Sequence, residues 1–198
     1  MPRSYRSDKR RAAAESTRER IVAAARRILR SRRGLGELTI DAVAAEAKVA
    51  RMSVYNAVKS KSGLLEAILD DISASGLPEI LPPSRGAIEA LESYLAAFAH
   101  FWEAERLSIR RLRALAVLDR DVRAAVARRE KRRWNVTLEL AARFAEERGK
   151  PLSQECIDSF YIAASFESYD RLRMIGRSPH ETAREIRLLC RSIMDPVG

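Results

Sequence analysis

The sequence predicts an all-α protein: an N-terminal three-helix helix-turn-helix head followed by a helical body, about nine helices in total. Three observations carry this. Apolar residues recur at helical spacing in nearly every segment. Gly (8) and Pro (7) are sparse in 198 residues and fall between those segments. Ala, Leu, Arg and Glu, which favour helix, dominate, and β-branched runs are few.

Residues 1–15 are basic and unpatterned, and are expected to be a disordered arm. Ser16 with Glu19 has the form of a capping box. Ile21, Val22, Ala25, Ile28 and Leu29 then form one helical stripe, which Gly34 and Gly36 should end near Arg33. Thr39 is a good N-cap for a short second helix with Ile40, Val43, Ala44 and Ala47 inside. Lys48-Val49-Ala50 connects it to a third helix over 51–57. Ser60 caps a fourth, with Leu64, Leu65, Ile68, Leu69 and Ile72 inside. Gly76 and Pro78 end that helix, and "PEILPPSRG" reads as a linker.

Beyond the linker, the spacing predicts helices over 84–104, 107–118, 120–148 and 153–175. Pro179, just after Ser178, opens a last helix at its first position. The domains expected are the arm 1–15, a helix-turn-helix domain 16–61, and a helical body 62–198.

Net charge is +10, and its placement matters more than its size. Residues 1–61 hold 16 Lys and Arg against 6 Asp and Glu, while 62–198 hold 21 of each, so the whole excess lies in the first third. That is the footprint of a polyanion-binding module on a neutral body. No apolar stretch is long enough to cross a membrane. The N-terminus has no secretory pattern, and two cysteines make no disulfide framework. A cytoplasmic protein, nucleoid-associated when bound, is expected.

The two short helices explain each other. Neither is stable alone. A core of Val22, Ile28, Leu29, Val43, Val54 and Leu64 must hold them, leaving the outer face of the third helix to enter a B-DNA major groove. That face carries Arg51, Met52, Asn56 and Tyr55. Arg can grip guanine O6 and N7, Asn adenine N6 and N7, and Met a thymine methyl. Tyr55, Ser53, Lys48, Lys59 and Lys61 have the chemistry for phosphate oxygens. Thr39 and Ala50, at the two helix N-termini, complete the DNA-facing set.

The stretch "RERIVAAARRILRSRRGLGELTIDAVAAEAKVARMSVYNAVKSKSGLLEAIL" resembles the TetR family of bacterial transcriptional regulators. Gly34, Thr39, Val43-Ala44, Val49, Ser53-Val54-Tyr55, Lys59-Ser60-Lys61 and Leu64-Leu65 fall where that family has them. It departs at Lys48, where the family usually has Gly, at Ala50, where Ser or Thr is common, and at Ala57-Val58 in place of His-Phe. The resemblance implies a homodimer on a palindromic operator of double-stranded DNA, usually a repressor. It also implies release by a small apolar or amphipathic effector bound among aromatics of the body, here Phe98, Phe101, Trp102, Trp134, Phe160 and Tyr161. The last helices would pair between subunits through Ile157, Ala164, Leu172, Ile186, Leu189 and Ile193. The arm would reach a minor groove through Arg3, Arg6, Arg10 or Arg11, or else add only non-specific attraction.

Rival readings are a ligand-independent or architectural DNA-binding factor, an interaction bundle, and an enzyme. The last has no nucleophile–base pair, paired carboxylates or glycine-rich phosphate loop behind it. No His, Cys or carboxylate spacing suits a metal, and no cofactor is expected. His100 reads as a satisfied or exposed helix histidine rather than a polar anchor in a pocket, and His180 as solvated. Cys156 and Cys190 read as two small buried thiols at the interface rather than a redox switch. The runs Arg110-Arg111-Arg113 and Arg128-Arg129-Lys131-Arg132-Arg133 read as solvated, salt-bridged helix faces balanced by Glu103, Glu105, Asp119, Asp121 and Glu130.

Overall fold

The computed structural model describes residues 3–31, 38–74 and 86–195. Among these the chain forms nine helices and no strand: α1 (Arg3–Arg30), α2 (Ile40–Ala47), α3 (Arg51–Val58), α4 (Lys61–Ala74), α5 (Ala87–Leu118), α6 (Arg120–Arg148), α7 (Gln154–Ala163), α8 (Phe166–Met174) and α9 (Pro179–Met194). The expected stops at Gly34, Gly36, Gly76 and Pro78, and most of the linker, lie outside the described residues.

Three elements differ from the sequence expectation, each for a physical reason. Helix α1 begins at Arg3, so described residues assigned to a disordered arm are helical. Ala12 to Ala14 and the flanking Arg and Glu are strong helix formers with no breaker among them, and the Ser16–Glu19 pair lies inside the helix. Helix α5 is continuous where two helices were expected. The polar Glu103–Arg106 segment that suggested a break consists of helix formers with partners: Glu103 binds Arg173, and Arg106 binds Asp170 at 2.6 Å. Conversely, 153–175 is two helices. Ser165 caps α8, its hydroxyl accepting from Ser168 N at 3.2 Å. The apolar stripe runs across that break and hides it.

The chain divides into two compact units, residues 1–73 with 107–126, and residues 74–106 with 127–198. The first extends past the expected boundary at residue 61, because the apolar face of α4 belongs to its core. All six expected core residues, Val22, Ile28, Leu29, Val43, Val54 and Leu64, are buried. Each such burial contributes about 2 kcal/mol. Polar ties reinforce it. Arg26 pairs with Asp71 at 2.6 Å, and Arg27 with Glu46 at 2.7 Å. Arg18 donates to Ala57 O at 3.0 Å near the C-terminus of α3. Arg111 donates to the carbonyls of Leu29 and Ser31 at the end of α1. By sequence this unit holds 21 Lys and Arg against 11 Asp and Glu, and the other holds 16 of each. The basic excess therefore coincides with a folded unit.

The second unit is built on stacked aromatics. Tyr94 meets Phe98 at 4.6 Å between centroids, Phe98 meets Trp102 at 5.0 Å, and Trp102 meets Tyr169 at 5.8 Å. Offset and edge contacts of this kind add about 1 kcal/mol each beyond area burial. Arg133 is buried, not on a solvated face. Cys190 is fully buried, and burial pushes its thiol up to about 12. The Cys156 thiol donates to Ile193 O at 2.9 Å. Both cysteines are free.

Candidate nucleic-acid interface

Helix α2 starts where Thr39 accepts a hydrogen bond from Ala42 N at 3.1 Å and stops at a left-handed residue. That residue is Lys48, with φ 55 and ψ 50. Lys48 N reaches Ala45 O at 3.2 Å, and Val49 N reaches Ala44 O at 3.0 Å. This is the Schellman pattern, in which Gly normally occupies the left-handed position. The side chain at Lys48 costs about 1 kcal/mol there. Lys48→Gly is therefore expected to raise stability by about 1 kcal/mol in urea unfolding. If Lys48 touches phosphate, the same change lowers the salt slope of DNA binding by about one.

The turn places Ala50 as the N-cap of α3, without a side-chain hydrogen bond. Val54 and Val58 face the core. The opposite face is then set by the 3.6-residue period. Arg51, Met52 and Asn56 are exposed on it, while Ser53 and Tyr55 are half-buried. Met52 is 65% exposed, so its side chain is open on that face. Thr39, Lys48, Ala50, Lys59 and Lys61 are all exposed as well. Lys61 lies 3.8 Å from Asp119, so it meets a carboxylate before any phosphate.

Helix α3 ends in a tight turn. Lys59 has φ 65 and ψ −43, and Ser60 N donates to Val58 O at 2.7 Å, two residues back. This strained γ-type turn lets Ser60 cap α4 at once, its hydroxyl accepting from Gly63 N at 3.0 Å.

One residue of the site escaped the sequence reading. Asp41, in the first turn of α2, pairs with Arg51 at 3.1 Å. Arg51 also reaches the Tyr55 hydroxyl at 3.5 Å. Tyr55 first, and Asp41 second, hold the Arg51 guanidinium more firmly protonated than usual. No local spacing rule links residues ten apart on two helices, so only the fold could show this pair.

The expected effector and interface residues divide differently. Phe98, Phe101, Trp102 and Phe160 are buried and pack as core. Trp134 and Tyr161 are half-buried and meet edge-on at 5.0 Å. An open cleft of about 150 Å³ is lined by Glu92, Leu95, Ala96, His180, Ala183, Arg184 and Arg187. It is too small to bury a typical organic ligand, which needs about 300 Å³ or more. Of the expected interface residues, Ala164 and Ile186 are buried within the chain. Ala164 is held under Arg133, whose Nη1 donates to its carbonyl. Ile157, Leu172 and Ile193 are half-buried, and Leu189 is exposed.

Residues 21–68 match the family model described as bacterial regulatory proteins, tetR family. The match begins within α1 and ends within α4, so the whole interface above lies inside it, and the later helices lie outside. No curated protein matches the chain. Residues 21–68 are thus similar to the N-terminal domain of the tetR family of bacterial regulatory proteins, and that domain supports a DNA-binding regulator of transcription.

Proposed function

We propose that the protein is a homodimeric transcriptional repressor that reads a palindromic operator with α3 and is released by a small apolar or amphipathic effector. The observation carrying this reading is the solvent face of α3. Arg51, Met52 and Asn56 stand exposed there, on the unit that holds the whole net charge. These side chains suit base edges, and Lys48, Lys59, Tyr55 and Ser53 suit phosphates on either side.

A second copy is supported by exposed apolar residues near the C-terminus. Ile162, Met174, Ile175, Leu188 and Leu189 are each more than half exposed on α7, α9 and the end of α8. Helices α7 and α8 both pack against α9, and exposed large apolar side chains on packed neighbouring helices are candidates for an association surface. A two-fold dimer presents two α3 helices, which must match major grooves about 34–36 Å apart. An effector acts by binding more tightly to the arrangement that misses this spacing. One that bound both arrangements equally would release nothing.

The test is selection of binding sites from a random duplex pool by the full-length protein. Wild type is expected to enrich an inverted repeat. Arg51→Ala is expected to lose discrimination at one base pair per half-site, by about 1–3 kcal/mol. No enrichment by wild type would overturn sequence-specific binding. Sedimentation showing only single subunits would overturn the dimer.

A further inference from the structure

The Arg51–Asp41 pair raises a question that stability does not answer. Both side chains are mostly exposed, 60% and 67%. An exposed pair contributes only about 0–1 kcal/mol. Against a polyanion, a carboxylate at this position is a liability, since it repels phosphate. The other acid of α2, Glu46, is accounted for by Arg27 of α1. Asp41 instead faces across the motif onto the recognition helix.

The guanidinium is held on two sides. Arg51 Nη1 lies 3.1 and 3.3 Å from the two Asp41 oxygens. Nη2 lies 3.5 Å from the Tyr55 hydroxyl, and the guanidinium carbon is 5.7 Å from the Tyr55 ring centroid. An arginine has five N–H donors in a rigid fork. Two are engaged here, and those left can form the two-pronged contact to guanine O6 and N7. Resting on the reading of α3 as the recognition helix, we propose that Asp41 is a positioning residue for base discrimination. It pre-orders the Arg51 fork for a guanine and offsets the attraction of Arg51 to phosphate.

Two consequences follow from this. Ordering the side chain before binding removes an entropy cost that a free arginine meets at the base. Neutralising it locally weakens the contact to any phosphate, which is the sequence-independent part of binding. Both effects raise the ratio of specific to non-specific affinity.

The test uses the full chain as wild type, Asp41→Asn, Arg51→Ala and the double variant. Asn is nearly isosteric with Asp, and circular dichroism checks that each variant is folded. Affinity is read by fluorescence anisotropy on three duplexes: the selected operator, the operator with the guanine replaced, and an unrelated sequence across a salt series. Asp41→Asn is expected to lose about tenfold of the guanine preference. It is also expected to bind the unrelated duplex more tightly, with a salt slope steeper by up to about one. In the Arg51→Ala background, Asp41→Asn should leave base preference unchanged.

A retained guanine preference in Asp41→Asn overturns the proposal. So does a loss at a different base pair that persists without Arg51, which would make Asp41 itself a reader of cytosine. A wild type that prefers no sequence removes the recognition-helix reading as well. That result is distinct from a specific wild type beside an indifferent Asp41→Asn.

Discussion

Gly63→Ala is expected to destabilise the N-terminal unit by about 3 kcal/mol and to abolish DNA binding with it. The turn at Lys59 points the Val58 carbonyl back at the start of α4, where Ser60 N holds it at 2.7 Å. A Cβ on Gly63 would sit well inside van der Waals contact of that oxygen. The obstacle is backbone, so no rotamer relieves it. Either the turn opens or α4 shifts, and α4 carries the buried Leu64, Leu65 and Ile68. Alanine favours helix over glycine by about 1 kcal/mol, which does not offset the clash. Urea unfolding followed by circular dichroism measures the difference. Unchanged stability would mean that α3 and α4 do not meet through this turn, and the orientation of α3 would have to be redrawn.

Arg133→Met should cost the C-terminal unit about 3 kcal/mol or more. Arg133 is only 9% exposed. Its guanidinium bonds Glu130 at 2.9 and 3.0 Å, donates to Tyr161 O at 2.8 Å and Ala164 O at 3.3 Å, and stacks on the Tyr161 ring at 3.7 Å. It therefore closes the C-terminal end of α7 as a cap would, where the helix leaves carbonyls unpaired. Methionine keeps much of the volume and removes every one of these bonds. The Glu130 carboxylate would retain the Tyr161 hydroxyl, at 2.8 Å, but lose its two bonds to the Arg133 guanidinium. Trp134 lies edge-on to Tyr161, so its fluorescence reports this region during unfolding. A loss below about 1 kcal/mol would show that the bonds of the buried guanidinium are dispensable, as some buried ion pairs are when replaced by apolar groups.

What the sequence disclosed and what it hid follow one physical line. Some caps were legible as local chemistry: Thr39 caps α2, Ser60 caps α4, and Ser178-Pro179 opens α9, whereas the expected Ser16–Glu19 box lies inside α1 and the Ser165 cap of α8 went unread. The six residues expected as core of the head are buried because period and hydrophobicity alone assign them. The rest needed partners from distant parts of the chain. Glu103 and Arg106 look like an interruption until Arg173 and Asp170 are placed beside them. Arg133 reads as one more cation in a basic run until α7 lies against it. Asp41 looks like a first-turn acid favouring its own helix, and its hold on Arg51 appears only when α2 and α3 are folded together. The candidate DNA face was thus legible in residue type, but not in the pairing that orders it.

The placement of α3 against base edges is open to chemical interference mapping on a selected operator. Dimethyl sulfate methylates guanine N7 in the major groove, the atom an Arg51 fork would occupy. Wild type is expected to be excluded by methylation at one guanine in each half-site. Arg51→Ala is expected to tolerate it there while still depending on the flanking phosphates. Binding that no major-groove methylation disturbs, or a pattern identical in wild type and Arg51→Ala, would contradict the assignment of α3 as the helix that reads DNA.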